Sequence, residues 1–213
     1  MESKHQHKIF NLFFVRHGET NYNLEGRFIG ISDQPLNQKG MDQARKTGAL
    51  LKKINLTYDL ILTSPLKRAS QTAEIIAKEF IPELPIVHED LLKERNYGIF
   101  EGKTLEELAH ICPESITKYQ KDKPNVRPPN GELAKDVEDR VKILMMEKIP
   151  TTYAKYMNII LTTHLNPIRA ALILLDMAKL DIYYHKFKNA GVVEIQFNPV
   201  EPKKTKLINF DLT

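Results

Sequence analysis

The sequence has little cysteine and no long hydrophobic run. Its single cysteine, Cys112, cannot form a disulfide within the chain, which is typical of proteins in a reducing compartment. The longest uninterrupted apolar run covers residues 170–175, far short of the roughly 18 residues that a membrane-spanning helix needs. Residues 1–10 also lack the apolar core of a signal peptide. These absences predict a cytoplasmic protein that does not act at a membrane.

The charge of the chain is close to balanced. Of 213 residues, 31 are Lys or Arg and 27 are Asp or Glu, which gives a formal net charge of +4. So small an excess is weak evidence for a polyanionic partner, and we expect no nucleic-acid binding. Apolar residues make up 42% of the chain, which excludes disorder as a global description. Because no repeat or Gly/Ser linker divides the sequence, we expect a single domain over residues 1–213, with residues 1–8 frayed.

Strand-like and helix-like segments alternate along the chain. Residues 9–15, 59–63 and 158–163 are short apolar runs typical of strands that are buried on both faces. Further strands are predicted at 85–88, 192–197 and 206–210. Helices are predicted at 37–53, 64–76, 104–110, 113–120, 132–146 and through 170–175. Asn37 is the predicted N-cap of the first of these helices, and Asp136 and Arg140 are predicted to pair on the solvent side of helix 132–146. This alternation predicts a three-layer α/β fold, in which a central, mostly parallel sheet is flanked by helices on both faces.

Two predicted helices follow directly after buried strands and start with a polar residue and a proline. Ser64 and Asn166 each precede a proline, the pattern of an N-cap with proline at the first helical position. The N-terminus of a helix presents unpaired N–H groups and favours anions. We therefore expect both helix N-termini to help bind an anion.

Charged and ionisable residues follow three of the predicted strands. Arg16 and His17 follow the first strand, Arg68 lies just after the second, and His164 follows the third. Because the carboxyl ends of parallel strands meet at one edge of a sheet, we expect these side chains to lie close together. Guanidinium groups bind phosphate oxygens through paired hydrogen bonds and keep their charge. The cluster therefore predicts a phosphate site.

The two histidines can play different roles in such a site. A neutral imidazole is a competent nucleophile near neutrality, so His17 could attack phosphorus and form a phosphohistidine. His164 would then donate hydrogen bonds to the phosphoryl oxygens, together with Arg16 and Arg68. The leaving oxygen needs a proton, and Glu94 is the best candidate to supply it.

Three other kinds of phosphate chemistry lack the residues that they require, whereas the identity of the acid stays open. Cys112 lacks the arginine-terminated loop of a cysteine phosphatase, Asp59 lacks the second aspartate of an aspartyl-phosphate enzyme, and there is no Walker-type phosphate loop. The role of Glu94 stays open, because Glu101 and other carboxylates lie nearby and Arg95 could pair with Glu94.

Four motifs occur in an order that is characteristic of one family. They are RHGET at 16–20, SPLKRASQTAEII at 64–76, ERNYG at 94–98 and the histidine at 164. Together they resemble the histidine phosphatase (phosphoglycerate mutase-like) superfamily over most of the chain. The resemblance implies that His17 is phosphorylated and that Glu94 donates the proton. It also implies that Arg16, Arg68 and His164 line the phosphate pocket.

The same resemblance implies a substrate class and further contacts. The substrate would be a small phosphorylated metabolite bound without a metal or other cofactor, and the protein could be a homodimer. The implied substrate-binding residues are Asn23, Gly30, Tyr97 and Asn166.

The chain departs from the family pattern in two places that bear on function. Leu165 stands where the family commonly has glycine, which changes the shape of the pocket edge. Residues 99–130, predicted to form a lid or insertion, look too short for the longer basic insertion of the bisphosphoglycerate-dependent mutases. A shorter lid leaves a phosphohistidine open to water, which favours a phosphatase. A 2,3-bisphosphoglycerate-dependent phosphoglycerate mutase and an inactive phosphate-binding interaction domain are the alternatives.

Overall fold

A mixed sheet of six strands forms the centre of the described part of the chain. The computed structural model describes residues 8–54 and 56–209. In chain order the strands are Phe10–Arg16 (β1), Leu60–Thr63 (β2), Ile86–His88 (β3), Asn158–Thr163 (β4), Val192–Phe197 (β5) and Lys206–Asn209 (β6). Their spatial order is β3–β2–β4–β1–β5–β6. The first four run parallel, β5 is antiparallel to β1, and β6 is antiparallel to β5. The mostly parallel sheet is confirmed.

Helices cover both faces of this sheet, which confirms the three-layer fold. The α-helices are Asn21–Leu24 (α1), Gln38–Lys53 (α2), Lys67–Ala77 (α3), Leu105–Ile111 (α4), Pro113–Lys121 (α5), Ala134–Ile143 (α6) and Leu165–Leu174 (α7). A π-helical turn, Leu144–Lys148, follows α6. The 3-10 turns are Asp90–Leu92, Gly98–Phe100, Leu180–Tyr184 and Pro202–Lys204. On one face, α2 and α3 share a buried cluster with Phe13 and Val15 of β1. On the other, α6 and α7 share a cluster with Phe10, Leu12 and Phe14.

The register of the strands brings three chain segments to one level at the carboxyl edge of the sheet. Arg16 at the end of β1 lies opposite Thr163 at the end of β4. Thr63 at the end of β2 lies opposite Thr162. The residues that come next along the chain are His17, Ser64 and His164.

The starts of α3 and α7 differ from the sequence prediction. Leu66, not Ser64, is the N-cap of α3, and the hydroxyl oxygen of Ser64 lies 2.8 Å from Nε2 of His164. Asn166 lies inside α7, because the carboxylate of Glu94 accepts hydrogen bonds from the first amides of that helix. Both predicted caps are wrong because side chains distant in sequence take part at these helix starts.

Arg140 of α6 points inward and not toward a solvent-side partner. Its guanidinium donates to the backbone carbonyls of Lys93 and Glu94 at 2.6 and 3.0 Å. The predicted partner, Asp136, pairs with Arg127 at 2.9 Å. The predicted pair is wrong because backbone carbonyls of another segment lie within reach of Arg140. These bonds fix the backbone at Lys93 and Glu94.

Residues 99–130 form a pair of short helices, α4 and α5, followed by a loop. The helices pack around a small cluster of buried apolar side chains, separate from the two faces of the sheet. Arg95 is fully buried and donates to the carbonyls of Lys123, Val126 and Glu132, each at 2.8 Å. The loop is thus fastened to the segment beside the site, and its role as a lid stays a prediction.

Some predictions concern residues outside the described ranges. Residues 1–7, most of the predicted frayed segment, lie outside them. So do residues 210–213, which include the last residue of the predicted final strand. Within the described residues, no helix combines the length and the apolar character needed to cross a membrane. The cytoplasmic location stays a prediction.

Candidate active site

His17 lies directly after β1, the strand between β4 and β5. Its backbone N–H donates to the carbonyl of Thr163 at 2.9 Å, and its side chain is almost fully buried. Ring atom Nδ1 lies 2.7 Å from the carbonyl oxygen of Gly18, which can only accept, so Nδ1 carries the proton and Nε2 keeps its lone pair. Burial lowers the pKa of His17 well below 6.5, and the charges of Arg68 and Arg16 lower it further. The ring is therefore neutral at neutral pH, with the lone pair of Nε2 unprotonated.

His164 faces His17 across the site and offers a hydrogen-bond donor. The two ring centroids are 5.2 Å apart. Nε2 of His164 lies 2.8 Å from the hydroxyl oxygen of Ser64, whereas Nδ1 is buried and has no hydrogen-bond partner among the described residues. Burial, followed by the charge of Arg68, lowers the pKa of His164 well below 6.5. If the Ser64 hydroxyl donates to Nε2, the proton of the neutral ring lies on Nδ1 and can be donated to an anion.

Two arginines bring positive charge to the histidines. Arg68 is fully buried in the first turn of α3 and donates to the carbonyls of Gly30 and Ser32 at 2.6 and 2.9 Å. Burial lowers the pKa of Arg68 to about 10, so the side chain is still charged at neutral pH. Arg16 donates to the carbonyl of Phe187. Guanidinium groups held in this way are oriented before an anion arrives.

Glu94 lies beside the start of α7 in a network of hydrogen bonds. Its Oε1 accepts from the backbone of Arg95 at 2.7 Å and from the side chain of Asn166 at 2.9 Å. Its Oε2 accepts from the backbone of Leu165 at 3.1 Å. The Asn166 amide also donates to the hydroxyl of Tyr97 at 2.9 Å. Three of the predicted site residues therefore form one connected unit.

Glu101 holds the loop that contains Gly30, a role that the sequence did not predict. Its carboxylate accepts from the backbone N–H groups of Ile31, Ser32 and Tyr97 at 2.9, 2.7 and 3.1 Å. A Cβ atom at Gly30 would lie 2.2 Å from Oε1 of Glu101, so this approach requires glycine. Nothing in the local sequence distinguishes Glu101 from an exposed glutamate. The carbonyl of Gly30 serves to orient an arginine, and a contact between Gly30 and substrate stays a prediction.

The loop before β5 ties Asn23 to the backbone of His17. Oδ1 of Asn23 accepts from the backbone of Thr20 at 3.1 Å and from the side chain of Asn189 at 3.3 Å. The carbonyl of His17 accepts from the Asn189 side chain at 3.2 Å and from the Ala190 backbone at 3.1 Å. The sequence reasoning missed Asn189 and Ala190, because no motif marks them and only the antiparallel pairing of β5 brings them here.

The N-termini of α3 and α7 are occupied by side chains of the protein. The backbone N–H of Lys67 donates to Asp33 at 2.6 Å. The backbone N–H groups of Leu165 and Asn166 donate to Glu94 at 3.1 and 3.3 Å. Carboxylates therefore already accept from these amides, and the expectation that both helix N-termini help bind an anion stays a prediction.

A cavity of about 350 Å³ opens between the predicted site residues. Its wall includes Arg16, His17, Asn23, Glu94 and Tyr97. The other predicted site residues, which are buried, are Gly30, Arg68, His164 and Asn166. A larger groove of about 640 Å³ lies between α2 and the loop before β5, and none of the predicted site residues lines it. Five of the nine predicted site residues thus line one cavity, the other four are buried and are not in its wall, and the individual roles stay predictions.

The sequence matches one family model and two curated relatives. The family model of the histidine phosphatase superfamily (branch 1) matches residues 12–209. Over 127 residues the chain is 45% identical to the uncharacterized phosphatase PhoE of Bacillus subtilis, a match that covers 60% of this chain and 58% of that protein. Over 166 residues it is 35% identical to the 2,3-bisphosphoglycerate-dependent phosphoglycerate mutase 2 of Gloeobacter violaceus, covering 78% of this chain and 75% of the mutase.

Solved structures share the fold over nearly the full length. The alpha-ribazole phosphatase of Shigella flexneri has a TM-score of 0.83 and 25% identity, with 95% of this chain and 96% of that chain covered. The mycobacterial glucosyl-3-phosphoglycerate phosphatase has a TM-score of 0.82 and 23% identity, with 96% and 100% covered. Relatives of both kinds, phosphatases and mutases, act on small phosphorylated compounds. From the family match across residues 12–209, this chain belongs to the histidine phosphatase superfamily.

Proposed function

We propose that this protein is a phosphatase that hydrolyses a small phosphomonoester through a phosphohistidine on Nε2 of His17. The observation that carries the proposal is the hydrogen bond between Nδ1 of His17 and the Gly18 carbonyl. It leaves the nucleophilic lone pair on Nε2 of a residue that lines the cavity. Burial, followed by the charges of Arg68 and Arg16, keeps that ring neutral, and the two charges attract the phosphate dianion.

In the first step, Nε2 of His17 attacks phosphorus and the bond between phosphorus and the ester oxygen breaks. Arg16, Arg68 and the Nδ1–H of His164 stabilise the charge on the phosphoryl oxygens. Among the described residues, Oε2 of Glu94 accepts from a single protein donor, whereas Oε1 accepts from several. We therefore assign the transferable proton to Oε2, which gives it to the departing alkoxide.

In the second step, water attacks phosphorus and the bond between phosphorus and Nε2 breaks. The carboxylate of Glu94, now without its proton, takes one from the attacking water. Inorganic phosphate leaves, and His17 returns to its neutral form. Fixed guanidinium and imidazole donors supply the charge stabilisation that a cation supplies elsewhere, so we propose that the reaction needs no metal.

Transfer of the phosphoryl group to a second hydroxyl would make the protein a mutase, as several relatives are. The segment that could shield the phosphohistidine from water consists of α4, α5 and the loop after them. This segment is shorter than the insertion expected of the bisphosphoglycerate-dependent mutases. We therefore place hydrolysis first and mutase activity second.

The test combines turnover with trapping of the intermediate. With 4-nitrophenyl phosphate in excess EDTA, we expect release of inorganic phosphate and a phosphoenzyme that is labile to acid and stable to base. Both should disappear in His17→Ala and persist in His110→Ala, which alters an exposed histidine of α4. A folded protein without phosphate release would contradict the phosphatase. Phosphoryl transfer between phosphoglycerates that exceeds hydrolysis when 2,3-bisphosphoglycerate is added would establish the mutase instead.

A further inference from the structure

A second cavity, of about 420 Å³, adjoins the one that contains His17. The two cavities share five residues in their walls, which are Gly26, Phe28, Tyr97, Leu165 and Lys186. A phosphomonoester whose phosphate is at His17 must direct its leaving group away from the sheet edge. The second cavity therefore lies within reach of the part of the substrate that leaves.

Three positively charged side chains from separate segments line this second cavity. Lys123 follows α5, Arg169 belongs to α7, and Lys186 lies in the chain between the last 3-10 turn before β5 and β5 itself. No aspartate or glutamate of the described residues is in the wall of this cavity. Burial lowers the pKa of Lys123, and the nearby charges of Arg169 and Lys186 lower it further. The three cations thus repel one another unless an anion lies between them.

Arg169 is the most deeply placed of the three cations. It is only 6% exposed, and its Nε atom is buried without a hydrogen-bond partner among the described residues. Its other nitrogens donate to the carbonyl of His185 and, at 3.5 Å, to Oδ1 of Asn166. Asn166 in turn bonds to Glu94, so Arg169 is joined to the acid that serves the leaving oxygen. A buried guanidinium with an unused N–H group is a costly arrangement that a bound anion would relieve.

Aromatic side chains complete the wall and hold two of the cations in place. Lys123 lies over the ring of Tyr184, with Nζ 4.9 Å from the centroid, and its backbone N–H donates to the hydroxyl of Tyr184 at 3.3 Å. The guanidinium of Arg169 lies 5.7 Å from the ring centroid of Tyr183. These contacts keep the cations beside the cavity and restrict their other conformations.

We propose that the second cavity binds an anionic group at the far end of the leaving group. The preferred substrate is then a phosphomonoester that carries a second phosphate or a carboxylate. This inference rests on the proposed function for the assignment of the first phosphate to His17.

Binding of phosphonates, which cannot be hydrolysed, tests the second cavity independently of turnover. We would measure by calorimetry the dissociation constants of alkylphosphonates of increasing chain length and of their ω-carboxy and ω-phosphono counterparts. At the best chain length, we expect the second anionic group to tighten binding about tenfold or more, as a hydrogen bond to a charged partner does. The carboxylate and phosphonate arms show which of the two anions the cavity prefers.

Variants then assign the effect to this cavity. Lys123→Gln and Lys186→Gln should each reduce the preference for the doubly anionic ligand, and added salt should weaken it. Lys52→Gln, which removes an exposed lysine of α2, should retain the preference. Equal dissociation constants for singly and doubly anionic ligands at every chain length would overturn the inference, as would a preference that survives both cavity variants. Failure of the protein to release phosphate from any ester would instead contradict the proposed function and leave the binding result standing.

Discussion

Ser64 is placed so that its hydroxyl can set the tautomer of His164. Its hydroxyl oxygen lies 2.8 Å from Nε2 of His164 and also accepts from the backbone N–H of Leu66 at 3.4 Å. A hydroxyl that accepts from an amide can donate its own hydrogen to the imidazole. His164 then offers Nδ1–H, the form that can donate to a phosphoryl oxygen.

Removal of this hydroxyl should weaken catalysis more than folding. For Ser64→Ala we expect kcat/KM to fall about tenfold, because the His164 ring then lacks the partner that sets its tautomer and orientation. Steady-state kinetics and thermal unfolding would be compared with those of Ser70→Ala, whose hydroxyl bonds to Glu74 on the outer part of α3. An unchanged kcat/KM in Ser64→Ala would show that the hydroxyl does not orient His164.

The proton assigned to Glu94 gives a prediction that depends on the leaving group. Glu94→Gln removes the acid while keeping the shape of the side chain, so it should slow alkyl phosphates by about a hundredfold or more. Aryl phosphates, whose leaving groups need little protonation, should be slowed much less. The comparison needs kcat values for both ester types, with Glu106→Gln on the exposed side of α4 as control. Equal slowing of the two ester types would argue against proton donation by Glu94.

At the scale of elements, the backbone of α2 packs against the chain that follows His17. A Cβ atom at Gly18 would lie 2.3 Å from the carbonyl oxygen of Gly40, and one at Gly40 would lie 2.1 Å from that of Glu19. The chain after β1 and the first turn of α2 therefore touch without side chains between them. A methyl group at either position has to move the backbone that follows His17.

Two glycines of α2 allow a matched comparison. Gly40→Ala should lower the free energy of unfolding by about 1–3 kcal/mol, as overpacking against backbone does, and should also lower kcat. At Gly48 the nearest atom to an added Cβ is Cγ of Glu79, at 2.7 Å, part of a flexible side chain that can move. Glu79 Cβ and Ile76 Cα also lie 3.3 Å from that position, so Gly48→Ala should lower the free energy of unfolding by less than Gly40→Ala does, because the gain in helix propensity of up to about 1 kcal/mol offsets part of the crowding. Urea unfolding would measure the free energy of unfolding of both variants. A similar decrease in Gly40→Ala and Gly48→Ala would contradict this account.

At the scale of the whole molecule, the buried histidines link stability to pH. Folding keeps His17 and His164 neutral below pH 6.5, whereas the same side chains bind protons in the unfolded chain. The unfolded state then binds more protons, so stability falls as pH decreases from 6.5, by at most about 1.4 kcal/mol per pH unit for each ring. The carboxylates of Glu19 and Glu107, whose pKa values lie below 4.5, lose their contribution only at lower pH.

Chemical denaturation between pH 4.5 and pH 6.5 therefore measures the histidine contribution. We expect stability to rise with pH across this range, and His164→Asn should reduce the slope of that rise. His88→Asn, which alters an exposed histidine of β3, serves as the matched control. A slope that is the same in His164→Asn and in the unaltered protein would show that the ring is not held neutral.

A feature could be predicted from the sequence when it depends on neighbouring residues, and could not when it depends on residues far apart in the chain. The bounds of β4 and the N-cap Asn37 were predicted correctly, because an apolar run and an Asx cap are properties of neighbouring residues. Ser64 and Arg140 were misassigned, because each bonds to residues far away along the chain. Glu101 was weighed only as a possible acid, and its role in holding a loop depends on tertiary contacts.

The place of β1 in the sheet also governs when the enzyme can first be active during synthesis. Its phenylalanine-rich strand emerges from the ribosome before its two neighbours in the sheet, because Asn11 pairs with Asn158 and Phe10 with Phe197. Until those partners are made, β1 is an apolar strand with two open edges, the kind of segment that aggregates or binds a chaperone. His17 acquires the bonds to its carbonyl only when the loop before β5 has been translated. A nascent chain that carries all four motifs is thus still an incomplete catalyst.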